Sequence, residues 1–152
     1  MQRRQFIATG IALLAQSLAL PRISWASGLA DRNHDAFDAR DPASVYAALG
    51  IEPPTESQDI LLIAPDVAEN GAKVPVEVHV RLPQVERVLL IGERNRFPLL
   101  ADVAFTPRME PWFEARVKLA ETGDLRVITL AQGKLYTTRK PVRVIVGGCP
   151  AG

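Results

Sequence analysis

Cysteine occurs once in these 152 residues, histidine twice, and aromatic residues make up only 6% of the chain. A single cysteine excludes an internal disulfide framework, so stability has to come from a packed core. His34, His79 and the one thiol have no close ligand spacing of the kind zinc needs, so no metal site and no cofactor is expected. Charge of one sign is not in excess either, since 18 basic residues face 17 acidic ones for a net +1. The arginines are scattered, without a basic stripe or aromatic interleaving, and nucleic acid is therefore not an expected partner. Long hydrophobic runs are absent except for residues 7–20. That run is broken by Thr9, Gly10, Gln16 and Ser17 and is too short to span a bilayer comfortably as a helix.

The N-terminal run has a specific setting. Arg3 and Arg4 stand ahead of Phe6 and Ile7, which is the layout of a twin-arginine export signal. Ser24 and Ala26 supply the small residues a signal peptidase needs, so cleavage after Ala26 is expected, leaving 126 residues from Ser27 and no membrane anchor. The signal takes three basic residues with it. The remainder then carries 15 basic against 17 acidic residues, about −2. The expected location is the periplasm, reached in the folded state. A chain of this length makes one domain, burying roughly two-thirds of its unfolded surface.

Residues 28–40 are polar and lack an apolar period, which reads as a mobile arm or loosely docked turn. Asp41, Pro42 and Gly50 then punctuate a short helix: a capping side chain, a proline at the first helical position and a terminal glycine. After Gln58 everything reads as β. Residues 74–81 alternate strictly, with Val74, Val76, Val78 and Val80 on one face and Pro75, Glu77, His79 and Arg81 on the other. Further strands are expected at 60–64, 85–93, 99–105, 113–121, 125–131, 135–138 and 142–146, separated by Pro, Gly and Asn turns. Such spacing favours an all-β fold, an immunoglobulin-like antiparallel β-sandwich with a short N-terminal helix. The expected organisation is a signal at 1–26, an arm and helix at 27–58, the sandwich at 59–146 and a flexible C-terminal arm at 147–152. Within the sandwich His79 is expected at the surface, Trp112 and Phe113 are expected to straddle their strand, and Arg94, Asn95 and Arg96 are expected at a solvated loop tip.

The one cysteine, Cys149, follows Gly147 and Gly148 just after the last alternating strand, where Val142, Val144 and Val146 share a face. Glycine has no side chain to dock and a wide choice of backbone conformations, so the two form a hinge. Three residues of extended chain reach roughly 10 Å, enough to carry the sulfur into a narrow pocket of another protein. The thiolate is the reacting form. At an unperturbed pKa near 8.5 it is a few per cent of the total at neutral pH. Nearby sequence offers no activating base or helix N-terminus, so activation has to come from a partner, and the chain itself is expected to have no catalytic residue. The ending Cys149-Pro150-Ala151-Gly152 has the spacing of a prenylation box, but Pro150 is not aliphatic and the export signal is of the bacterial kind. Other readings are a non-catalytic immunoglobulin-like module whose cysteine forms an intermolecular disulfide, an unused thiol, and a thiol enzyme drawing on His79 as base.

Beyond these features the whole chain resembles the Y subunits of the bacterial Sox thiosulfate-oxidation system. The stretches that carry the resemblance are Asp66-Val67-Ala68-Glu69-Asn70-Gly71-Ala72-Lys73-Val74-Pro75-Val76, Val117-Lys118-Leu119-Ala120-Glu121-Thr122, Gly133-Lys134-Leu135-Tyr136 and Gly147-Gly148-Cys149. The resemblance implies that Cys149 is a covalent attachment site on a swinging arm hinged at Gly147 and Gly148. It implies a SoxZ-like subunit as heterodimer partner and a c-type cytochrome that couples thiosulfate oxidatively to the cysteine. It further implies a hydrolase that releases sulfate, and a molybdenum-haem dehydrogenase for the remaining sulfane sulfur. The family ends in two glycines after the cysteine, whereas this chain has Pro150-Ala151-Gly152. Proline restricts Cys149 on its C-terminal side, which bears on the partner enzymes it fits.

Overall fold

The computed structural model describes residues 33–146, and all statements below concern these residues. Two short helices come first, α1 (His34–Asp38) and α2 (Pro42–Leu49). Nine strands follow: β1 (Thr55–Glu56), β2 (Ile60–Ile63), β3 (Val67–Asn70), β4 (Val74–Val80), β5 (Val85–Gly92), β6 (Leu99–Ala104), β7 (Trp112–Val117), β8 (Gly123–Ala131) and β9 (Lys134–Val146). The larger sheet has the order β1-β9-β8-β5-β6, with β3 also paired to β9, and the smaller has the order β2-β4-β7. The two sheets face each other in the expected immunoglobulin-like sandwich.

The alternation in β4 does what its period requires. Val74, Val76, Val78 and Val80 are buried between the sheets, with Val88, Leu90, Leu125, Val127 and Val142 of the larger sheet in the same cluster. Burying side chains of this size stabilises a fold by roughly 1.5–3 kcal/mol each, an upper figure because unfolded chains are partly collapsed. The opposite side of the larger sheet is also apolar. Leu89, Ile91, Leu99 and Ile128 lie there under Ala36 and Val45 of the two helices. The molecule is therefore layered as helices, large sheet and small sheet.

Helix α2 has the punctuation expected of it. Asp41 accepts the Ser44 N–H at 2.9 Å, and Gly50 closes the end at φ +62°, donating its N–H toward Ala47 and Tyr46. The residues read as a mobile arm contain helix α1, whose N-cap is Asn33, its Oδ1 accepting the Ala36 N–H at 3.0 Å. Fully buried Ala36 docks this helix, a contact too small to leave an apolar period in the sequence.

Strands 135–138 and 142–146 prove to be one, β9, running through Pro141. Proline survives there because of its edge. Arg143 donates its N–H to Asp66 on the side of β3, so two residues earlier the N–H that Pro141 lacks would face the gap between β1 and β3. β8 and β9 are joined by Gln132 and Gly133 at φ +52° and +68°, the left-handed pair a two-residue hairpin favours. β7 is shorter than the expected 113–121, since residues 118–121 leave the ladder to cross between sheets. Conversely Gly123 and Asp124, read as a turn, open β8.

Candidate functional site

Cys149, Gly147 and Gly148 lie outside the described residues, as do Arg3 and Arg4 of the export signal. What the structure describes is the mount that precedes Gly147 in the chain, the end of β9. Burial falls steeply along its last residues: Val142 is fully buried, Val144 half-buried, and Ile145 and Val146 are 63% and 61% exposed. The strand leaves the core within one ladder repeat, yet it stays hydrogen-bonded to its last residue.

On one edge β3 runs parallel to it, with Val67 opposite Arg143, Ala68 opposite Val144 and Asn70 opposite Val146. Arg143 donates to the Asp66 carbonyl at 2.9 Å, and the Val146 carbonyl accepts from the Gly71 N–H at 2.8 Å. The Gly71 carbonyl in turn accepts from Leu119 at 2.7 Å. On the other edge β8 supplies the partner as far as Val142, opposite Gly123. Beyond that point the Thr122 hydroxyl accepts the Val144 N–H at 2.9 Å and donates to the Val144 carbonyl at 3.3 Å.

Ion pairs fasten the same region. Lys140 meets Asp66 at 2.9 Å and Arg139 meets Asp124 at 3.5 Å, whereas Arg143 is exposed with no ionic partner among the described residues.

His79 is half-buried on the outer face of the small sheet, as expected of the outward set of β4. Its Nε2 lies 2.5 Å from Glu77, and its ring stacks on Trp112 with centroids 5.8 Å apart. It belongs to the far end of β4 from Val74, five residues on, or about 17 Å along a strand. The mount is at the Val74 end, because Gly71 bonds Val146. Trp112 is exposed, and Phe113 packs partly into the core, so they do straddle their strand. Among the described residues no group of three or more His, Cys, Asp or Glu side chains could hold a metal ion.

Two side chains around the mount carry roles the sequence did not announce. Asn95, expected at a solvated tip, donates from Nδ2 to the Lys118 carbonyl at 2.6 Å and accepts the Ala120 N–H at 2.9 Å. It thereby pins the crossing segment that ends at Thr122. A Thr or Asn flanking a strand is common, and only tertiary pairing distinguishes these two.

The family described as Sulfur oxidation protein SoxY matches residues 45–149, a span that ends on Cys149 itself. The sulfur carrier protein SoxY from Chlorobium limicola f thiosulfatophilum is 36% identical, covering 68% of this chain and 94% of that one, with a TM-score of 0.62. A single-residue variant of a superoxide reductase (neelaredoxin) from Ignicoccus hospitalis is 23% identical, covers 70% of this chain and 90% of that one at a TM-score of 0.50, and shares the fold alone. None of the curated proteins matches. The span of the match and the identity with a solved sulfur carrier agree: the chain belongs to the SoxY family of sulfur oxidation proteins.

Proposed function

We propose that this chain is a periplasmic covalent sulfur carrier of thiosulfate oxidation, which holds its cargo on Cys149 and hands it between partner enzymes. The observation that carries the reading is the mount. β9 is bonded on both edges out to Val144 and Val146, and three residues later, after two glycines, comes the sole thiol of the chain. A rigid base followed by two glycines suits the presentation of a sulfur to partners.

The chemistry balances with partners of the expected kind. The Cys149 thiolate and thiosulfate join through a new S–S bond, and the two electrons released go to a c-type cytochrome. Water then attacks the terminal sulfone sulfur in a hydrolase, releasing sulfate and two protons and leaving a persulfide on the cysteine. A sulfane dehydrogenase oxidises the outer persulfide sulfur to a sulfonate with oxygen from three waters, taking up six electrons and releasing six protons, and a second hydrolysis of the S–S bond frees it as sulfate and returns the thiolate. The carrier supplies the nucleophile and returns unchanged, without turnover of its own. The distance of His79 from the mount supports this division of labour, since it sets that candidate base well away from the end of β9 that leads to the cysteine.

A SoxZ-like subunit as heterodimer partner fits export in the folded state, signalled by Arg3 and Arg4, because a partner without its own signal can cross bound to this chain. Replacing both arginines by lysine is expected to leave the precursor uncleaved and in the cytoplasm.

Mass measurement of the C-terminal peptide tests the carrier reading. After incubation with thiosulfate and the coupling cytochrome, Cys149 is expected to gain a reductant-removable adduct that Cys149→Ser abolishes. A bare thiol under sulfur-oxidising conditions, or a cysteine-linked homodimer as the dominant form on non-reducing electrophoresis, overturns it.

A further inference from the structure

The two edges of β9 are closed at its end by different means. On the β3 edge the closure is ordinary parallel pairing. On the β8 edge there is no backbone left to pair, since β8 begins at Gly123, opposite Val142. The next rung would require Glu121 to stand opposite Val144, but the chain has turned away to cross to the other sheet. Thr122 fills the rung with its side chain, one hydroxyl acting as both acceptor and donor toward Val144. A single hydroxyl thus imitates the N–H and C=O of an absent strand residue.

The segment that presents this hydroxyl is itself fixed. Asn95 holds Lys118 and Ala120, and Leu119 bonds Gly71, whose N–H reaches Val146. Residues 118–122 therefore touch both edges of the departing strand, through Thr122 on one and through Gly71 on the other.

We propose that Thr122 is a positioning residue that sets the pivot of the cysteine arm, an inference that rests on the carrier reading of Cys149. With the rung closed, the bonded strand runs to Val146 and Cys149 is three residues further along the chain, a reach of at most roughly 10 Å. With the rung open, residues 143–146 are held by β3 alone, and in the limit free chain begins after Val142, seven residues from the sulfur and roughly 23 Å in reach. Effective concentration of a tethered group falls as about the −3/2 power of length, so presentation to a partner pocket falls roughly three- to fourfold.

The test uses the full chain with Thr122→Val, which keeps the shape and removes the hydroxyl, and Thr122→Ser, which keeps the hydroxyl. Thr122 is exposed, so neither change disturbs the core. In Thr122→Val the Val144 amide is expected to exchange hydrogen about tenfold faster, the effect of one to two net hydrogen bonds. A nitroxide on Cys149 is expected to become more mobile. Cytochrome-dependent loading with thiosulfate is expected to fall in kcat/KM, by at most the roughly three- to fourfold of full release because β3 still holds residues 143–146, while alkylation by N-ethylmaleimide, which needs no pocket, keeps its rate. Thr122→Ser restores all of these. Wild-type exchange and label mobility in Thr122→Val, or a Thr122→Ser variant that behaves like valine, overturns the inference. Failure of the carrier reading looks different: wild-type Cys149 does not load at all, while the exchange and mobility contrasts between the variants persist.

Discussion

Thr129 and Thr137 are the two polar side chains buried completely or nearly so among the described residues, at 0% and 1% exposure, and they sit on adjacent strands of the larger sheet. Their hydroxyls have opposite fates. The Thr137 hydroxyl donates to the Val127 carbonyl at 2.8 Å and faces Arg126 Nη1 at 3.5 Å. The Thr129 hydroxyl has no hydrogen-bond partner among the described residues. A buried hydroxyl without a partner keeps its desolvation cost of about 1–3 kcal/mol, whereas a paired one returns about 1 kcal/mol net. The same substitution should therefore have opposite signs at the two positions. Thr129→Val is expected to raise stability by about 1 kcal/mol and Thr137→Val to lower it by about as much, both read from denaturant midpoints at constant m-value. Two shifts of the same sign would show that the burial of these hydroxyls, and not their pairing, governs the site. Arg126 beside them shows the same rule for charge. Burial works against its guanidinium, but the Glu93 hydrogen bond at 2.6 Å and the nearby acidic groups outweigh this and hold its pKa above the ordinary value.

Helix α2 is an element whose ends are written in its residues, and one of those ends titrates. The Asp41 carboxylate accepts from the Ser44 hydroxyl at 2.6 Å and from the Ser44 N–H at 2.9 Å, and these bonds hold its pKa below the ordinary 3.8. A lowered folded pKa means that the charged cap stabilises the helix fully above about pH 3.8 and that this support is lost as pH falls through the lower folded value. Asp41→Asn keeps a capping oxygen but cannot titrate, so the part of the acid limb below pH 3.8 that belongs to this cap is expected to disappear from its stability–pH curve. An unchanged acid limb would place that titration elsewhere. The cap was legible because Asp, Pro and Gly act through local geometry. The valines of β4 were legible because one face is buried along its whole length. β3 was not read as a strand, because three of its four residues are exposed and a single buried Ala68 makes no period. β9 was divided at Pro141, since the gap beside that residue depends on where β1 and β3 end. At the candidate site the thiol was legible from its isolation in the composition. Thr122 and Asn95 were not, because their partners lie 22 to 25 residues away in sequence.

At the scale of the molecule the larger sheet is shared by two cores that differ in what they hold. Between the sheets lies the valine and leucine cluster that includes Val142, the last fully buried residue before the arm. On the opposite side the helices cover Leu89, Ile91, Leu99 and Ile128, a cluster separate from the rungs that close on Val144 and Val146. The helical layer is thus a cover, and the sandwich is the frame of the arm. Stability in such a layered molecule is uneven, and a cover can open while the frame persists. Val45 and Val78, both fully buried, separate the two cases, since an unpaired charge in either place is costly. Val45→Asp is expected to undock the helices: amides of residues 34–49 exchange rapidly and a hydrophobic dye binds the uncovered sheet. The β8 and β9 amides stay protected, and Cys149 still loads. Val78→Asp strikes the core between the sheets and is expected to remove the cooperative unfolding transition altogether. If Val45→Asp also erased the protection of β8 and β9, the helices would have to be counted as part of the arm's frame.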